Sequence, residues 1–259
     1  MALKVLGIIM IEINKIYNSD CIELMNKIDY GIVDLTVTSP PYNVKMEYAE
    51  DETGDDLPYP EYLKWLEDVF SEVYRITKSG GRLCINVGDL ANGRIPLSSD
   101  IVGLCRDIGW LPFARIVWDK TNTSNRFSWG SWMSPNAPSF PNSVEYILIF
   151  AKDRLSLDRK GVIDIEKQEF IDWTLNMWRI GAASHPVHKA VFPITIPIRL
   201  IKMLTYVGDL VFEPFTGVGT TELAALKTNR NFIGSEKSKI YFDIAEEAIN
   251  NELQQYKLF

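Results

Sequence analysis

Six short, nearly continuous apolar runs, at residues 33–38, 82–87, 114–118, 144–150, 210–212 and 231–234, alternate with stretches of helical periodicity. A strand that is apolar on both faces is buried on both faces, which is the pattern of parallel strands sandwiched between helices. In residues 61–78, Leu66, Val69, Phe70 and Val73 mark one helical face, and Gly80-Gly81 is expected to end that helix. Near the end of the chain Tyr241, Ile244, Ala245 and Ala248 mark another. The alternation predicts an α/β fold, a mostly parallel central sheet with helices on both faces. A length of 259 residues, 46% of them hydrophobic, is enough to build it as a single domain over residues 1–259. Residues 121–143, rich in Asn, Ser, Pro and Trp, and residues 152–190, with no strand rhythm, are read as loops. Together, residues 121–190 form an inserted region on one edge of the sheet.

Several function classes drop out early. No apolar run approaches the roughly 20 residues that span a bilayer, so no membrane partner is expected. Residues 1–10 are apolar but carry no small-residue cleavage site, so no signal peptide is expected, and Met10 is a second candidate start. Cys21, Cys84 and Cys105 are odd in number and widely spaced, which fits neither a disulfide framework nor a zinc site and points to a reducing, cytoplasmic setting. His185 and His188 have no carboxylate or cysteine at ligand spacing, so no metal is expected. The net charge of −7 is local: residues 47–68 hold nine acids and one base, a sum of −8, which leaves +1 for the rest of the chain. A positive DNA-facing surface is therefore compatible with the overall acidity.

The run at 33–38 ends abruptly in Ser39-Pro40-Pro41-Tyr42. Two prolines fix φ and donate no N–H, so a central strand cannot continue through them. The segment is a rigid turn at the carboxyl edge of the sheet, where open α/β sheets bind ligands. A stiff loop with a packed tyrosine is the plain reading. A chemical role accounts for each residue. An aromatic amine is a poor nucleophile because its lone pair is delocalised into the ring. Acceptors on its two protons, the Ser39 side chain and the Pro40 carbonyl, would draw the nitrogen towards tetrahedral geometry, and Tyr42 could stack on a base flipped out of a duplex. No cysteine follows a proline, so the cysteine-dependent route to carbon-5 of cytosine is not expected.

A second segment, Val211-Phe-Glu-Pro-Phe-Thr-Gly-Val-Gly-Thr-Thr221, follows a strand and opens a helix. Gly217 and Gly219 allow a tight turn and close approach of backbone to a ligand, and the helix start offers free N–H groups. Glu213 precedes them, and Glu236 ends the next strand where an acid can accept from a ribose diol. A purely structural turn with a surface acid is the alternative. The spacing is neither that of a nucleoside-triphosphate loop nor G-x-G-x-x-G.

Together the two segments resemble the amino-methyltransferase family of DNA modification enzymes. Thr38-Ser39-Pro40-Pro41-Tyr42-Asn43 is similar to its catalytic motif, and Glu213-Pro214-Phe215-Thr216-Gly217-Val218-Gly219-Thr220-Thr221 to its S-adenosylmethionine motif. The catalytic motif comes first, the circularly permuted order of the β group, with target recognition between the two. Tyr17-Asn18-Ser19-Asp20-Cys21 resembles the family's N-terminal strand, Glu145-Tyr146-Ile147-Leu148-Ile149-Phe150 a late core strand, and His185-Pro186 with Phe192-Pro193 the motif that closes the methionine pocket. Trp118-Asp119-Lys120 and Trp129-Gly130-Ser131-Trp132-Met133-Ser134-Pro135 resemble cytosine-N4 members.

The resemblance implies a Rossmann-like methyltransferase fold, S-adenosyl-L-methionine as cofactor and duplex DNA as partner. A cognate restriction endonuclease and a homodimer are the further partners it brings into view. It assigns catalysis to Ser39, Pro40, Pro41 and Tyr42. Cofactor binding falls to Asp20, Thr38, Glu213, Pro214, Phe215, Gly217, Gly219, Thr220, Thr221 and Glu236. Lys120, Arg126, Trp129, Trp132 and Arg179 are candidate DNA contacts, and Arg154, Arg159 and Lys160 are further basic candidates that also suit a solvated surface. Ser39, where adenine-N6 enzymes usually carry Asp, implies cytosine N4. Adenine N6, and an amino group on RNA or a protein amide, stay open as targets. Three departures stand out: Glu213 replaces the usual Asp, extra residues 187–191 lie before Phe192-Pro193, and Ser235 precedes Glu236.

Overall fold

The computed structural model describes residues 11–42, 57–121, 130–184 and 191–256. Residues 47–56 of the acidic window, Arg126, Trp129, His185-Pro186 and His188 lie outside the described residues. Eight strands, β1 (Lys15–Asn18), β2 (Val33–Thr38), β3 (Thr77–Val87), β4 (Leu111–Asp119), β5 (Val144–Ala151), β6 (Met177–Arg179), β7 (Leu210–Glu213) and β8 (Asn231–Glu236), form one sheet in the order β1-β8-β7-β2-β3-β5-β4-β6. β5 alone runs against its neighbours β3 and β4; the other pairings are parallel.

The helices are α1 (Cys21–Met25), α2 (Tyr59–Ile76), α3 (Leu97–Ile108), α4 (Lys167–Trp173), α5 (Thr195–Leu204), α6 (Thr220–Lys227) and α7 (Lys239–Tyr256). Successive strand residues point to opposite faces, so Phe212 and Ile233 join Leu66, Phe70 and Ile101 in a core beneath α1, α2 and α3. Their neighbours Val211 and Phe232 join Leu200, Ala225 and Ala245 in the core beneath α5, α6 and α7. After β2 the chain crosses on one face and after β7 on the other, so the crevice between these adjacent strands is the point where an open α/β sheet binds ligands.

β2 has the expected bounds, but two expectations need correction. Gly80-Gly81 does not end a helix. α2 stops at Ile76, Thr77 turns extended and its hydroxyl donates to the Val73 carbonyl at 2.6 Å. The glycines lie inside β3, at a break in register between β2 and β3. A Cβ on Gly81 would come within 2.6 Å of Thr77 Cγ2 and 3.0 Å of the Asp34 carbonyl, so the irregular pairing is closed to any larger residue. The stretch 152–190 is not all loop either: it carries α4 and the edge strand β6, which pairs with β4. Trp178 on β6 is buried, and Arg199 of α5 lies 5.1 Å from its ring and 5.5 Å from that of Trp173.

At the amino ends of the parallel strands, Arg159 pairs with Asp34 at 2.8 Å and Asp209 at 2.5 Å, while Lys78 also holds Asp34 at 2.8 Å. Asp34 further accepts the Leu210 N–H at 2.9 Å. This cluster clamps β2 to β7 at the end opposite the crevice. Arg159, a candidate phosphate contact by composition, is a clamp in the structure.

Candidate active site

The carboxyl ends of β1, β2, β3, β4, β7 and β8 and the first residues of the reversed β5 meet around one cavity of about 520 Å³, within the size range of small-molecule sites. One side is built from the turn after β7. Gly217 (φ 56°) and Gly219 (φ 86°) take left-handed backbone that larger residues resist. Gly219 also lets α7 approach, since a Cβ there would lie 3.2 Å from that of Ala245.

The Glu213 carboxylate accepts from the Phe215 N–H and the Thr221 hydroxyl, both at 3.0 Å. Burial, and then the nearby Glu222, raise Glu213 well above the usual carboxylate range. Glu236 accepts from the Gly217 N–H at 2.7 Å and the Ser238 N–H at 2.8 Å, which fixes it at the mouth of the cavity with lone pairs to spare. Asp20 caps α1 through Oδ1, bonded to the Ile22 N–H at 2.9 Å. Phe215 packs against Trp65 of α2 with ring centroids 5.5 Å apart.

The opposite side is the proline turn. Ser39, Pro40, Pro41 and Tyr42 all line the cavity. The buried Tyr62 hydroxyl of α2 donates to the Pro41 carbonyl at 2.7 Å and so ties the turn to the helix that also supplies Trp65. Burial, and then the Glu145 carboxylate, push the Tyr42 hydroxyl well above its ordinary value, while the Ser39 side chain and the Gly88 backbone oppose that rise. The phenol therefore stays protonated. Tyr62→Phe removes one hydrogen bond worth about 1 kcal/mol. It is expected to slow turnover about fivefold in a protein of unchanged circular dichroism, and an unchanged rate would remove the anchoring role.

Of the residues singled out from sequence, Asp20, Ser39 to Tyr42, Glu213, Pro214, Phe215, Gly217, Thr220, Glu236 and Lys120 line this one cavity. Thr38, Gly219 and Thr221 stand behind its wall, and their contribution is to hold it: Thr221 through Glu213 and Gly219 through the close packing of α7. Trp132 is exposed and Arg179 is exposed beside Asp119 at 3.8 Å, both away from the cavity lining.

Asn86, Trp118, Glu145 and Trp65 also line the cavity, and sequence reasoning gave them no site role. They come from separate strands and a helix, and only the register of β3, β4 and β5 collects the first three. Among the described residues there is no metal-holding cluster, and no helix is long and apolar enough to cross a membrane.

The arrangement can hold an elongated ligand along one wall, between carboxylates and an aromatic pair, and present it to a second, amine-handling wall. A family model described as DNA methylase, for N4- and N6-amino methyltransferases, matches residues 33–247. The Type II methyltransferase M.MjaVI of Methanocaldococcus jannaschii is 40% identical over 154 residues, 59% of this chain and 78% of that protein. Among solved structures, the DNA modification methylase TTHA0409 from Thermus thermophilus, complexed with S-adenosyl-L-methionine, matches with a TM-score of 0.73 at 30% identity, covering 92% of this chain and 95% of that one. The cytosine-N4-specific PvuII DNA methyltransferase shares the fold, with a TM-score of 0.69 at 19% identity over 93% of this chain and 92% of that one.

Proposed function

Because the chain belongs to the DNA methylase family of N4- and N6-amino methyltransferases, we propose that it methylates the N4 amino group of cytosine in duplex DNA, on a base turned out of the helix. S-adenosyl-L-methionine supplies the methyl group, carried on a positively charged sulfur. The cavity suits that cofactor: Glu236 can accept from a ribose diol, Phe215 and Trp65 offer an apolar slot, and the Gly217 turn has no side chain in the way.

The observation that carries the reading is that Ser39 shares one cavity with the 213–220 turn. The Ser39 hydroxyl and the Pro40 carbonyl accept from the two amino protons and localise the nitrogen lone pair. Tyr42, kept neutral, packs on the flipped ring. Two aromatic walls and buried carboxyls exclude water from the transfer. Ser39 in place of an acid supports cytosine over adenine as target, and the tryptophan-rich stretch 129–132 supports it too. Residues 121–190, which place α4 and β6 at the sheet edge, are our candidate for target recognition. The name Type II methyltransferase, borne by M.MjaVI, supports a place as the modification half of a restriction system.

The test is incubation of the protein with labelled S-adenosyl-L-methionine and mixed-sequence duplex DNA, followed by nucleoside mass spectrometry. N4-methylcytosine is the expected product. N6-methyladenine would overturn the target base and keep the family. No methylated nucleoside, from protein that binds the cofactor, would overturn DNA as substrate.

A further inference from the structure

Beside the proline turn, the cavity wall carries a polar group that the chemistry above leaves unused. Glu145, at the start of β5, forms an ion pair with Lys120, which follows the end of β4, and accepts from Asn86 Nδ2 of β3 at 2.7 Å. Strand register makes the meeting: Glu145 pairs with Trp118, and Asn86 with Ile147. Gly88 leaves room for it, since a Cβ there would lie 3.2 Å from Glu145 Cγ. The ion pair is largely out of water, with side-chain exposures of 32% for Lys120 and 13% for Glu145. Such a pair gains little stability over an apolar replacement. Its placement therefore calls for another account.

Two features point to a ligand. An ammonium has three donors, and Glu145 uses one of those of Lys120, whose Nζ lies 5.1 Å from the Trp118 ring centroid inside the cavity lining. Asn86 is 5% exposed and its Oδ1 is buried with no hydrogen-bond partner in the protein, which leaves the wall incomplete until a polar edge meets it.

We propose that Lys120, fixed by Glu145 and Asn86, donates a hydrogen bond to the ring nitrogen next to the amino-bearing carbon of the target base. That nitrogen is an acceptor in cytosine and in adenine alike. The contact would set the ring so that its amine falls on Ser39 and Pro40. Lys120 then touches the substrate, while Glu145 and Asn86 are positioning residues. The inference rests on the reading of Ser39 to Tyr42 as the amine-handling turn.

The experiment uses the full chain and a short duplex carrying the site that the enzyme methylates in plasmid DNA. Its partner duplex has 3-deazacytosine at the target, or 1-deazaadenine should the target prove to be adenine. Lys120→Met is expected to slow single-turnover methylation of the natural duplex about 10- to 100-fold, the size of a hydrogen bond from a charged donor. Affinity for S-adenosyl-L-methionine should stay within about threefold. The deaza duplex should slow the unaltered enzyme by a similar factor, and Lys120→Met should add nothing further to it. Glu145→Gln should show the same pattern with a smaller loss. Equal slowing of both duplexes by Lys120→Met, or a parallel loss of cofactor affinity, overturns the proposal. Ser39→Ala, run alongside, separates the two readings: an unaltered rate there sinks the amine-handling turn, whereas a loss there with no ring-nitrogen dependence at Lys120 sinks this inference alone.

Discussion

Ser39→Ala is expected to slow methyl transfer by about 10²- to 10³-fold, the range for removing a group that acts on the reacting atoms. Affinity for S-adenosyl-L-methionine should change by less than about threefold. The split follows from geometry. Ser39 sits on the proline turn after β2, while the turn and acids assigned to the cofactor belong to β7 and β8 on the other side of the cavity. An amine that keeps one acceptor still binds but is a worse nucleophile, so the loss belongs in the rate of the bound complex. Single-turnover kinetics with a separate binding titration measure the two quantities. Equal loss of both, in folded protein, would mean that Ser39 builds the wall and does not act on the amine.

The second large effect concerns the acid behind that wall. Glu222 of α6 is fully buried, accepts from the Thr216 hydroxyl at 2.6 Å, and has its other oxygen without a partner. It fits only because residue 234 is glycine: a Cβ there would lie 2.3 Å from Glu222 Oε1. Burial, helped by the Glu236 carboxylate, pushes its carboxyl up to about 8 from an ordinary 4.5. Between those values the folded chain holds a proton that the unfolded chain releases, so this group's stabilisation is complete below pH 4.5 and is lost as pH rises towards 8. The slope for one proton is about 1.4 kcal/mol per pH unit. Glu222→Gln keeps the acceptor for Thr216 and cannot ionise. Urea unfolding across this range should therefore show the variant gaining on the natural protein as pH rises. Glu213 titrates in both proteins and largely cancels in the difference. Parallel stability curves would show that Glu222 is not held neutral.

How much of this could be read in advance depended on whether the cause was local. β2 ends where Ser39-Pro40-Pro41 forbids a strand, and β7 and β8 announce themselves by apolar runs closed by Glu213 and Glu236, so both walls of the cavity were legible. Gly80-Gly81 misled because a glycine pair reads as a helix stop unless the neighbouring strand is known; the pair serves a register break against β2. β6 is three residues long, too short for any periodicity, and exists through its pairing with β4. Asn86 and Glu145 lie 59 residues apart and meet across antiparallel strands. Tyr62 looked like one more apolar position on α2 until its hydroxyl was found on Pro41.

The sheet order also sets when the enzyme can exist during its synthesis. β1 pairs with β8 through Asn18 and Glu236, and β2 pairs with β7 through Leu35 and Val211. Nearly the whole length of chain separates the partners in each case. Parallel pairings this distant form slowly, because the loop entropy is spent before the contacts repay it. On the ribosome the proline turn emerges early and waits with half a cavity until residue 236 is free. No nascent fragment short of that point can hold the methyl donor, so the host's DNA is exposed to this activity only after the chain is all but finished.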